Sequence, residues 1–267
     1  MKRVLHGKVA IVTGASGSLG GAIGRRLAVA GAAVVLTDID PSVERLAGEL
    51  SASGLTASFH SLDVRSESDW SAATDATVQR FGGLDIVVNN AGIECFATLR
   101  DVDVDDVRRL FDVNVLGVLL GIKHGLRCMS PGGASGRGGS IVNIASAAAL
   151  GAHFGMGPYV ASKAAVERLT KVAAVEAATL KTNVRVNCVM PGAVEDSGMF
   201  RQLLTEVLAA GLFPTPEAAR DRFSTNTPAG RGVTLDEVTN AVLYLASDEA
   251  GFVNGVHLPI DGGNHLA

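Results

Sequence analysis

The sequence has few cysteines, and their placement does not suggest a disulfide framework. Its 267 residues include three, an odd number, at the widely separated positions Cys95, Cys128 and Cys188. Small secreted domains depend on paired cysteines, whereas free thiols are typical of a reducing compartment. We therefore expect three free thiols in a cytoplasmic protein, with Cys188 packed inside an apolar strand.

Long hydrophobic runs are also lacking. The longest, residues 115–122, is interrupted by glycines and is far shorter than the roughly 20 residues that cross a bilayer. Near the N-terminus, the apolar run 9–12 ends at Thr13-Gly14, too soon for the core of a signal peptide. The sequence therefore predicts no membrane partner.

An excess of basic residues is the third absence. The formal net charge is -4, so the sequence shows no electrostatic footprint for nucleic acid, and we predict no nucleic-acid partner. We also predict no metal site. What remains is 47% hydrophobic and 19% charged residues, ordinary for a globular protein long enough to form one large α/β domain.

Strand-like and helix-like segments alternate along the chain. Strands are predicted at residues 8–12, 33–36, 57–59, 84–88, 141–144, 184–189 and 256–260. Helices are predicted at residues 19–30, 41–50, 66–81, 104–126 and 234–246, with one more around Tyr159. Residues 131–139 form a predicted flexible Gly/Ser loop, and residues 193–228 are predicted to be irregular and partly helical. Such alternation indicates a parallel sheet with helices on both faces.

Tyr159 and Lys163 are candidate catalytic residues. Pro158 suits a first helical turn, and the residues that follow continue a helix, so positions 159 and 163 share one face. A phenol with a pKa near 10 is a poor base at neutral pH, by about 4 kcal/mol for three units, unless a cation stabilises its anion. Lys163 can supply that cation. An isolated Tyr-x-x-x-Lys is more often a half-buried Tyr with a solvated Lys, so the interpretation depends on other parts of a site.

A glycine-rich loop follows the first strand and suggests a second part of that site. Gly14, Gly17 and Gly20 lie between a strand and a helix, where backbone N–H groups can approach a phosphate. Glycines there could equally serve simple turn geometry. Asp38, at the end of the second strand, lies at the spacing of an acidic residue that binds an adenosine ribose, although it could instead cap the turn before Pro41. Loop and Asp38 together favour dinucleotide binding.

These motifs together resemble the classical branch of the short-chain dehydrogenase/reductase family, over nearly the whole chain. Ser146 precedes Tyr159 by thirteen residues, as in that branch. The matching elements are the 13–20 loop, Asn89-Asn90-Ala91-Gly92, Asn114, Ser146, Tyr159 with Lys163, and Pro191-Gly192. The resemblance implies one NAD-binding domain over residues 1–267, with a Rossmann-type, doubly wound α/β sheet of about seven parallel strands and helices on both faces.

The same resemblance implies a role for each catalytic candidate in hydride transfer between a nicotinamide and a secondary alcohol or ketone. Tyr159 would exchange a proton with the substrate oxygen, and Ser146 would hydrogen-bond that oxygen. Lys163 would bind the nicotinamide ribose and lower the pKa of Tyr159. Asn114 would anchor a water that links Lys163 to solvent. The lesser alternatives are a turn residue at 146, a helix-bonded amide at 114 and a surface charge at 163.

Asp38 also bears on the choice between NAD and NADP. In the family, NADP users tend to carry a basic residue in the loop or after the second strand, where this chain has Gly17 and Ile39. A carboxylate about 4 Å from a 2′-phosphate costs up to about 4 kcal/mol at an effective dielectric near 20, roughly three decades in affinity. We therefore predict NAD. The predicted cofactor contacts are Gly14, Ser16, Gly17, Ser18, Leu19, Gly20, Asp38, Ile39, Asp63, Val64, Asn90, Ala91, Gly92, Tyr159, Lys163, Pro191, Gly192, Val194 and Ser197.

Some of these residues have open alternatives or depart from the family pattern. Asp63 could instead cap the helix beginning near residue 66. Ser18 replaces the usual middle glycine of the loop, and its hydroxyl could donate to the phosphate. After Pro191-Gly192 the family commonly has a Thr that contacts the nicotinamide. Ser197 could take that role after a one-residue insertion, whereas Asp196 is a poorer candidate.

The substrate pocket is expected between Glu94-Cys95-Phe96, residues 147–154 and a lid segment at about 197–225. Glu94 could contact a polar group of the substrate or face water. The segments contain many apolar residues, namely Met156, Met199, Phe200, Leu203, Leu204, Leu208, Leu212 and Phe213. They favour a hydrophobic substrate, cyclic or steroid-like, but could equally serve only to pack the lid against the body.

Two other functions compete with an NAD-dependent alcohol dehydrogenase. An NADPH-dependent 3-oxoacyl thioester reductase is disfavoured by Asp38, and a non-catalytic NAD-binding protein is disfavoured by the presence of Ser146, Tyr159 and Lys163. By resemblance we also expect a homo-oligomer, tetramer or dimer, in which the Asn114 and Tyr159 helices pack between subunits.

Overall fold

The computed structural model describes residues 4–225 and 227–266, so residues 1–3, 226 and 267 of the predicted domain lie outside the described part. Its parallel strands are Val9–Thr13 (β1), Ala33–Asp38 (β2), Ala57–Ser61 (β3), Ile86–Asn89 (β4), Gly139–Ile144 (β5), Val184–Pro191 (β6) and His257–Ile260 (β7). They form one sheet in the order β3-β2-β1-β4-β5-β6-β7. The predicted fold class is confirmed.

β1 illustrates why these segments become buried parallel strands. All five of its residues are buried, and neighbouring side chains enter separate core clusters, Val12 on one face of the sheet and Ile11 on the other. Strands covered on both faces are continuously apolar rather than alternating, and β-branched residues pack well in them. The sheet therefore carries two cores.

Helices cover both faces. Their bounds are Ser18–Val29 (α1), Val43–Ala52 (α2), Glu67–Phe81 (α3), Val104–Phe111 (α4), Gly117–Met129 (α5), Gly157–Thr179 (α6), Gly198–Ala209 (α7), Pro216–Arg220 (α8) and Leu235–Ala246 (α9). α1, α2 and α9 contribute to the core on one face, and α3, α5 and α6 contribute to the core on the other. No helix of the described residues is long and apolar enough to cross a membrane.

The helix predicted over residues 104–126 is interrupted. α4 ends at Phe111, a π-helical turn spans Asp112–Leu116, and α5 continues to Met129. Apolar spacing does not reveal such a turn because it changes the backbone hydrogen bonds while leaving the flanking faces buried. The π-helical turn contains Asn114.

The Gly/Ser segment 131–139, predicted as a flexible loop, is extensively hydrogen-bonded. Its backbone bonds to the C-terminal end of α5, and the Ser135 hydroxyl donates to Leu84 O and accepts from Leu84 N, at 2.8 and 3.0 Å. The Arg137 guanidinium contacts the buried Asp85 carboxylate at 3.1 Å. These residues enclose the N-terminal ends of β4 and β5. The glycine loop follows β1 at the opposite edge of the sheet.

The segment predicted to be irregular after β6 contains more helix than expected. Ser197 caps α7, α8 follows, and a π-helical turn spans Asp221–Thr225. α8 and the π-helical turn have five residues each, too few for a clear periodic signal, whereas α7 spans 12 residues and was indicated only in part.

The strand order places a crevice at the carboxyl ends of β1 and β4. The chain winds from β1 outward through β2 and β3, and then returns to add β4 on the other side of β1. Loops leaving adjacent strands in opposite directions open a crevice, which is where ligands bind in open α/β sheets.

Candidate active site

A cavity of about 430 Å³ occupies this crevice. It extends from the glycine loop after β1 to α7, and the loops after β4, β5 and β6 form its walls. The predicted site residues that line it are Gly14, Ser16, Gly17, Ser18, Leu19, Gly20, Asn90, Ala91, Gly92, Ser146, Tyr159, Lys163, Pro191, Gly192, Val194 and Ser197. The other predicted site residues are not among those that line the cavity: Asp38, Ile39, Asp63, Val64 and Asn114.

The glycine loop requires glycine at two positions for different reasons. Gly14 has a positive φ of 65°, and a Cβ there would lie 2.8 Å from the Cα of Ala91. A Cβ on Gly20 would overlap the carbonyl oxygen of Gly14. α1 begins at Ser18, and Gly17 before it provides no side-chain cap. The loop therefore presents the positive end of a helix to the cavity, which fits a phosphate group.

Thr13 and Asn90 hold this loop against the segment after β4. The Thr13 hydroxyl accepts hydrogen bonds from the backbone N–H groups of Asn90 and Ala91, both at 3.0 Å. In the other direction, the Asn90 amide donates to the carbonyl oxygens of Thr13 and Gly14. The sequence placed Thr13 in the loop but gave it no role, because its partners lie more than 70 residues away.

Asp38 is fixed at the edge of the loop. Its Oδ2 accepts from the backbone N–H and the hydroxyl of Ser16, at 2.9 and 2.6 Å, and its Oδ1 accepts from Asp40 N. Ile39 beside it is 68% exposed. The carboxylate therefore sits at the open end of β2 next to the glycine loop, where the sequence places an adenosine ribose.

Asp63 and Val64 lie farther along the same edge. The Asp63 carboxylate forms a bidentate pair with Arg65, which lowers the pKa of Asp63. Ser66 caps α3, so the alternative of a cap at Asp63 is wrong. Val64 is buried and packs against Gly117, whose missing Cβ makes room for it. Its backbone carbonyl accepts from the Trp70 indole at 3.0 Å.

Tyr159, Ser146 and Lys163 converge at the middle of the cavity. All three are buried. The Lys163 ammonium donates to the backbone carbonyl of Ile144 at 3.0 Å and lies 5.8 Å from the centre of the Tyr159 ring. The Tyr159 hydroxyl contacts the Met199 sulfur at 3.7 Å, and the Ser146 hydroxyl accepts from the backbone of the turn that follows it. The alternative of a solvated, surface Lys163 is wrong.

Burial dominates the protonation of this group. It raises the pKa of Tyr159 to about 12, with the Ser146 hydroxyl lowering it and the Glu94 carboxyl raising it further. Burial also lowers the pKa of Lys163 to about 8. Loss of hydration therefore dominates the pKa of Tyr159 in the protein alone, and a lowering by Lys163 beside a bound nicotinamide stays a prediction.

Asn114 is fully buried. A Cβ added to Gly92 would lie 3.3 Å from both the Asn114 Oδ1 and the Lys163 ammonium, so these two side chains meet beside Gly92. The Asn114 amide forms two hydrogen bonds with the Ile93 backbone, at 2.9 Å each, and donates to the Ser162 hydroxyl at 3.0 Å. Ser162, which the sequence did not single out, donates in turn to Tyr159 O. Asn114 thus connects the loop after β4 to the helix of Tyr159 and Lys163.

The segment after β6 forms the third wall. Gly192 N donates to Ile260 O, and Val194 forms an isolated bridge with Val233. Ser197 lines the cavity, and its hydroxyl accepts from Phe200 N at 3.1 Å as the cap of α7. Asp196 is exposed and does not line the cavity.

Glu195 fastens α8 to this wall. One of its oxygens accepts from Gly232 N at 3.2 Å, and the other lies 3.6 Å from the Arg220 guanidinium. Glu195 therefore connects α8, through Arg220, to the segment that follows β6.

The far end of the cavity is mostly apolar. Its walls include Met156, Met199, Phe200, Leu203 and Phe223. The same residues also pack in a third hydrophobic cluster, together with Leu204 and Phe213, so they both line the cavity and hold the helices down. Glu94 and His153 are polar exceptions, and Asn264 arrives from the C-terminal segment. The sequence missed Asn264 and the Ile144 carbonyl, since no motif marks either.

Known proteins resemble the chain over nearly its full length. A family model described as enoyl-(acyl carrier protein) reductase matches residues 14–265. (+)-Borneol dehydrogenase 2 from Salvia officinalis is 40% identical, over 97% of this chain and 89% of that protein. A 3-alpha-(or 20-beta)-hydroxysteroid dehydrogenase from Mycobacterium bovis is 36% identical, over 97% and 90%.

Among solved structures, a protein provisionally assigned as a gluconate dehydrogenase from Agrobacterium tumefaciens matches with a TM-score of 0.87 at 30% identity, over 100% of both chains. Agreement of this extent in both sequence and structure reflects common ancestry rather than a shared fold alone. The chain therefore belongs to the classical short-chain dehydrogenase/reductase family, whose members are oxidoreductases that use NAD or NADP.

Proposed function

We propose that the protein is an NAD-dependent dehydrogenase that interconverts a hydrophobic, cyclic secondary alcohol and its ketone. The observation that carries the proposal is the convergence of Tyr159, Ser146 and Lys163 in one cavity with the glycine loop. Borneol and hydroxysteroids, named for two relatives, are cyclic secondary alcohols. The apolar far end of the cavity suits the same class.

Each of these residues has a separate role in hydride transfer. When bound, the nicotinamide supplies or accepts the hydride. Tyr159 exchanges a proton with the substrate oxygen, and the Ser146 hydroxyl hydrogen-bonds that oxygen and holds it in place. Lys163, positioned by the Ile144 carbonyl, binds a ribose hydroxyl group. Asn114 positions the Tyr159 helix through Ser162 and supports a water near Lys163.

The protonation state of Tyr159 favours one direction at neutral pH. With its pKa raised to about 12, the phenol keeps its proton and can donate it to a ketone oxygen. Oxidation requires the phenol to lose that proton first, which is easier at high pH or beside additional positive charge.

Asp38 is the basis for proposing NAD rather than NADP. Ser16 holds its carboxylate in place through two hydrogen bonds, so the carboxylate cannot easily turn away from a 2′-phosphate. Repulsion at about 4 Å costs up to about 4 kcal/mol at an effective dielectric near 20.

We therefore expect kcat/KM for NAD to exceed that for NADP by up to about a thousandfold, and Asp38→Asn to reduce this ratio at least about tenfold. Steady-state rates with both cofactors measure it. Asp40→Asn, which removes an exposed carboxylate two residues away, is the matched control. Equal specificity constants in the unaltered protein would reject the assignment.

We further propose that residues 197–225 act as a lid and that the protein is a homo-oligomer, tetramer or dimer, in the cytoplasm. α7 and α8 cover the far end of the cavity. Leu119 on α5 and Val172 and Val175 on α6 are large apolar residues left exposed, which supports an interface along these helices. Free thiols at Cys95, Cys128 and Cys188 suit a reducing compartment. A monomeric mass in solution would contradict the oligomer.

A screen of cyclic secondary alcohols and ketones for formation or loss of NADH tests the proposed reaction. We expect turnover with at least one pair, and Tyr159→Phe to reduce kcat by about 10²- to 10⁴-fold while the dissociation constant of NADH stays within twofold of the unaltered value. Near-normal turnover by Tyr159→Phe would refute the acid/base role. Faster reduction of a 3-oxoacyl thioester with NADPH would favour the competing function.

A further inference from the structure

Glu94 is a carboxyl group in the wall of an apolar cavity. It follows the loop after β4 and lines the cavity beside Met156, Met199 and Leu203. Its Oε1 is buried and accepts no hydrogen bond, and the part of the chain that the structure describes offers this side chain no ion pair. Buried polar atoms are nearly always paired, so an exception at a binding site suggests that a ligand supplies the partner.

A second carboxyl group approaches from the lid. Glu206 on α7 accepts from the Gln202 amide through Oε1 at 2.8 Å, while its Oε2 is buried without a hydrogen bond. Repulsion from Glu206 adds to burial in raising the pKa of Glu94 to about 8. A hydrogen-bond donor or a positive charge in the cavity next to Glu94 would offset both the burial of this carboxyl group and its repulsion from Glu206.

Cations that could hold an anionic substrate are scarce in the same wall. Lys163 is the one Lys or Arg among the cavity-lining residues described, and its ammonium is engaged by Ile144 O. Burial lowers the pKa of His153, which favours its neutral form. Close to Glu94 and Glu206 the cavity is therefore unfavourable for a carboxylate or phosphate, whereas the Arg222 guanidinium acts on the His153 side.

Resting on the proposed function, we infer that Glu94 is a specificity-determining residue that binds a hydrogen-bond donor on the substrate. The donor, a second hydroxyl or an ammonium group, lies on the part of the substrate away from the reacting carbon. The preferred substrate is thus a bifunctional cyclic alcohol rather than a purely hydrocarbon one or an anionic one.

The reasoning is that binding any substrate removes water from Glu94. A substrate with a donor replaces the lost water, whereas a methyl group in the same place leaves the carboxyl group unpaired. A carboxylate meets repulsion once Glu94 ionises, above about pH 8. An ammonium group gains a further charge-assisted hydrogen bond once Glu94 ionises.

Four 4-substituted cyclohexanols test this inference: the 4-hydroxy, 4-amino, 4-methyl and 4-carboxylate compounds, each as cis and trans isomers. Binding is measured by calorimetry on the protein–NADH complex, which cannot oxidise an alcohol, and kcat/KM is measured separately with NAD. We expect the hydroxy and amino compounds to bind at least about tenfold more tightly than the methyl compound, and the carboxylate to bind most weakly above pH 8, where Glu94 is ionised.

Variants at position 94 separate hydrogen bonding from general effects on the pocket. Glu94→Leu should bring the hydroxy-to-methyl ratio close to one, whereas Glu94→Gln, which can still accept a hydrogen bond, should keep the hydroxy preference but lose the extra affinity for the amine. Glu44→Gln, an exposed carboxylate on α2, should change neither ratio.

Any of three results would overturn the inference. The unaltered protein could bind all four compounds equally, it could bind none of them, or a folded Glu94→Leu variant could keep the hydroxy-to-methyl ratio unchanged. Failure of the proposed function is distinguishable, because it would give no NADH formation with any alcohol even if the calorimetric preference is present.

Discussion

Gly20 is the residue at which the cofactor loop has the least room. It lies in the first turn of α1, and a Cβ there would overlap Gly14 O and lie 2.6 Å from the Asn90 amide nitrogen. Both atoms belong to the contacts that join the glycine loop to the segment after β4. A single methyl group at this position would push the two sides of the crevice apart.

We expect Gly20→Ala to weaken NADH binding at least about tenfold and to destabilise the fold by about 1–3 kcal/mol, because overpacking forces the backbone to shift. Fluorescence titration with NADH and denaturant unfolding measure the two effects. Gly48→Ala is the matched control, since it is helical and has no heavy atom within 4 Å of a new Cβ. It should bind NADH normally and be about 0.5–1 kcal/mol more stable. Equal behaviour of the two variants would contradict the steric argument.

The sequence identified most residues of the candidate site but not how they interact. Glycine spacing and the pair Tyr159–Lys163 are local patterns, so they can be read without tertiary structure. The burial that raises the pKa of Tyr159 comes from distant segments, among them Met199, and no local pattern carries it. The Arg65 pairing of Asp63 was missed because polar residues two positions apart are usually solvated independently.

At the scale of elements, the 131–139 segment closes the sheet at the end opposite the active site. Asp85 is buried at the start of β4 and receives hydrogen bonds from Val9 N and from Arg137. The Arg137 guanidinium also covers Gly83, where a Cβ would overlap it. A composition rich in Gly and Ser suggested flexibility, but those residues here permit a close approach between the segment and the sheet.

Removal of Arg137 should therefore affect stability and leave the chemistry alone. We expect Arg137→Ala to lower the free energy of unfolding by about 1–2 kcal/mol, because the buried Asp85 carboxylate keeps fewer partners while the guanidinium itself is partly exposed. Urea unfolding measures this, with kcat/KM unchanged. In contrast, Arg100→Ala breaks an exposed pair with Asp101 and should leave the free energy of unfolding unchanged within error. A large loss of activity in Arg137→Ala would argue for a functional role of the segment.

The elements themselves differ in how far the sequence could predict them. Strands such as β1 are continuous apolar runs between glycine turns, and they were found to within a residue or two. The π-helical turn at Asp112–Leu116 was not, because the apolar positions on both sides keep their helical spacing. α8 has only five residues, and α7, although 12 residues long, was predicted only as part of an irregular region; residues of both pack in the third hydrophobic cluster.

For the whole molecule, Glu94 and Lys163 make the free energy of unfolding change with pH in opposite directions. The pKa of Glu94 rises from 4.5 to about 8 on folding, so the folded state binds more protons in that window, and stability falls as pH rises through it. The pKa of Lys163 falls from 10.5 to about 8, so the folded state binds fewer protons above pH 8, and stability rises there.

We therefore expect Glu94→Gln to gain Tm relative to the unaltered protein progressively as pH rises from 4.5 to 8, and the gain to stop growing above 8. Lys163→Met should gain most below pH 8 and lose that advantage as pH increases toward 10. Calorimetric scans at graded pH measure both. Repulsion from Glu206 adds to burial in raising the pKa of Glu94, so Glu206→Gln should reduce the Glu94 effect. Parallel Tm profiles for all variants would rule the assignment out.

The π-helical turn has a consequence for how this chain can vary in length. Such a turn holds one residue more than an α-helical turn while the helix on either side keeps its orientation. A deletion of one residue between positions 112 and 116 would therefore be absorbed by conversion to an ordinary helix, with α4 and α5 still packed as before. The fold would survive the deletion, but the Asn114 amide would withdraw from Ile93 and Ser162. A relative with a one-residue gap at this point would therefore lack the Asn114 hydrogen bonds to the helix of Tyr159, even where the rest of its α4 and α5 sequence matches.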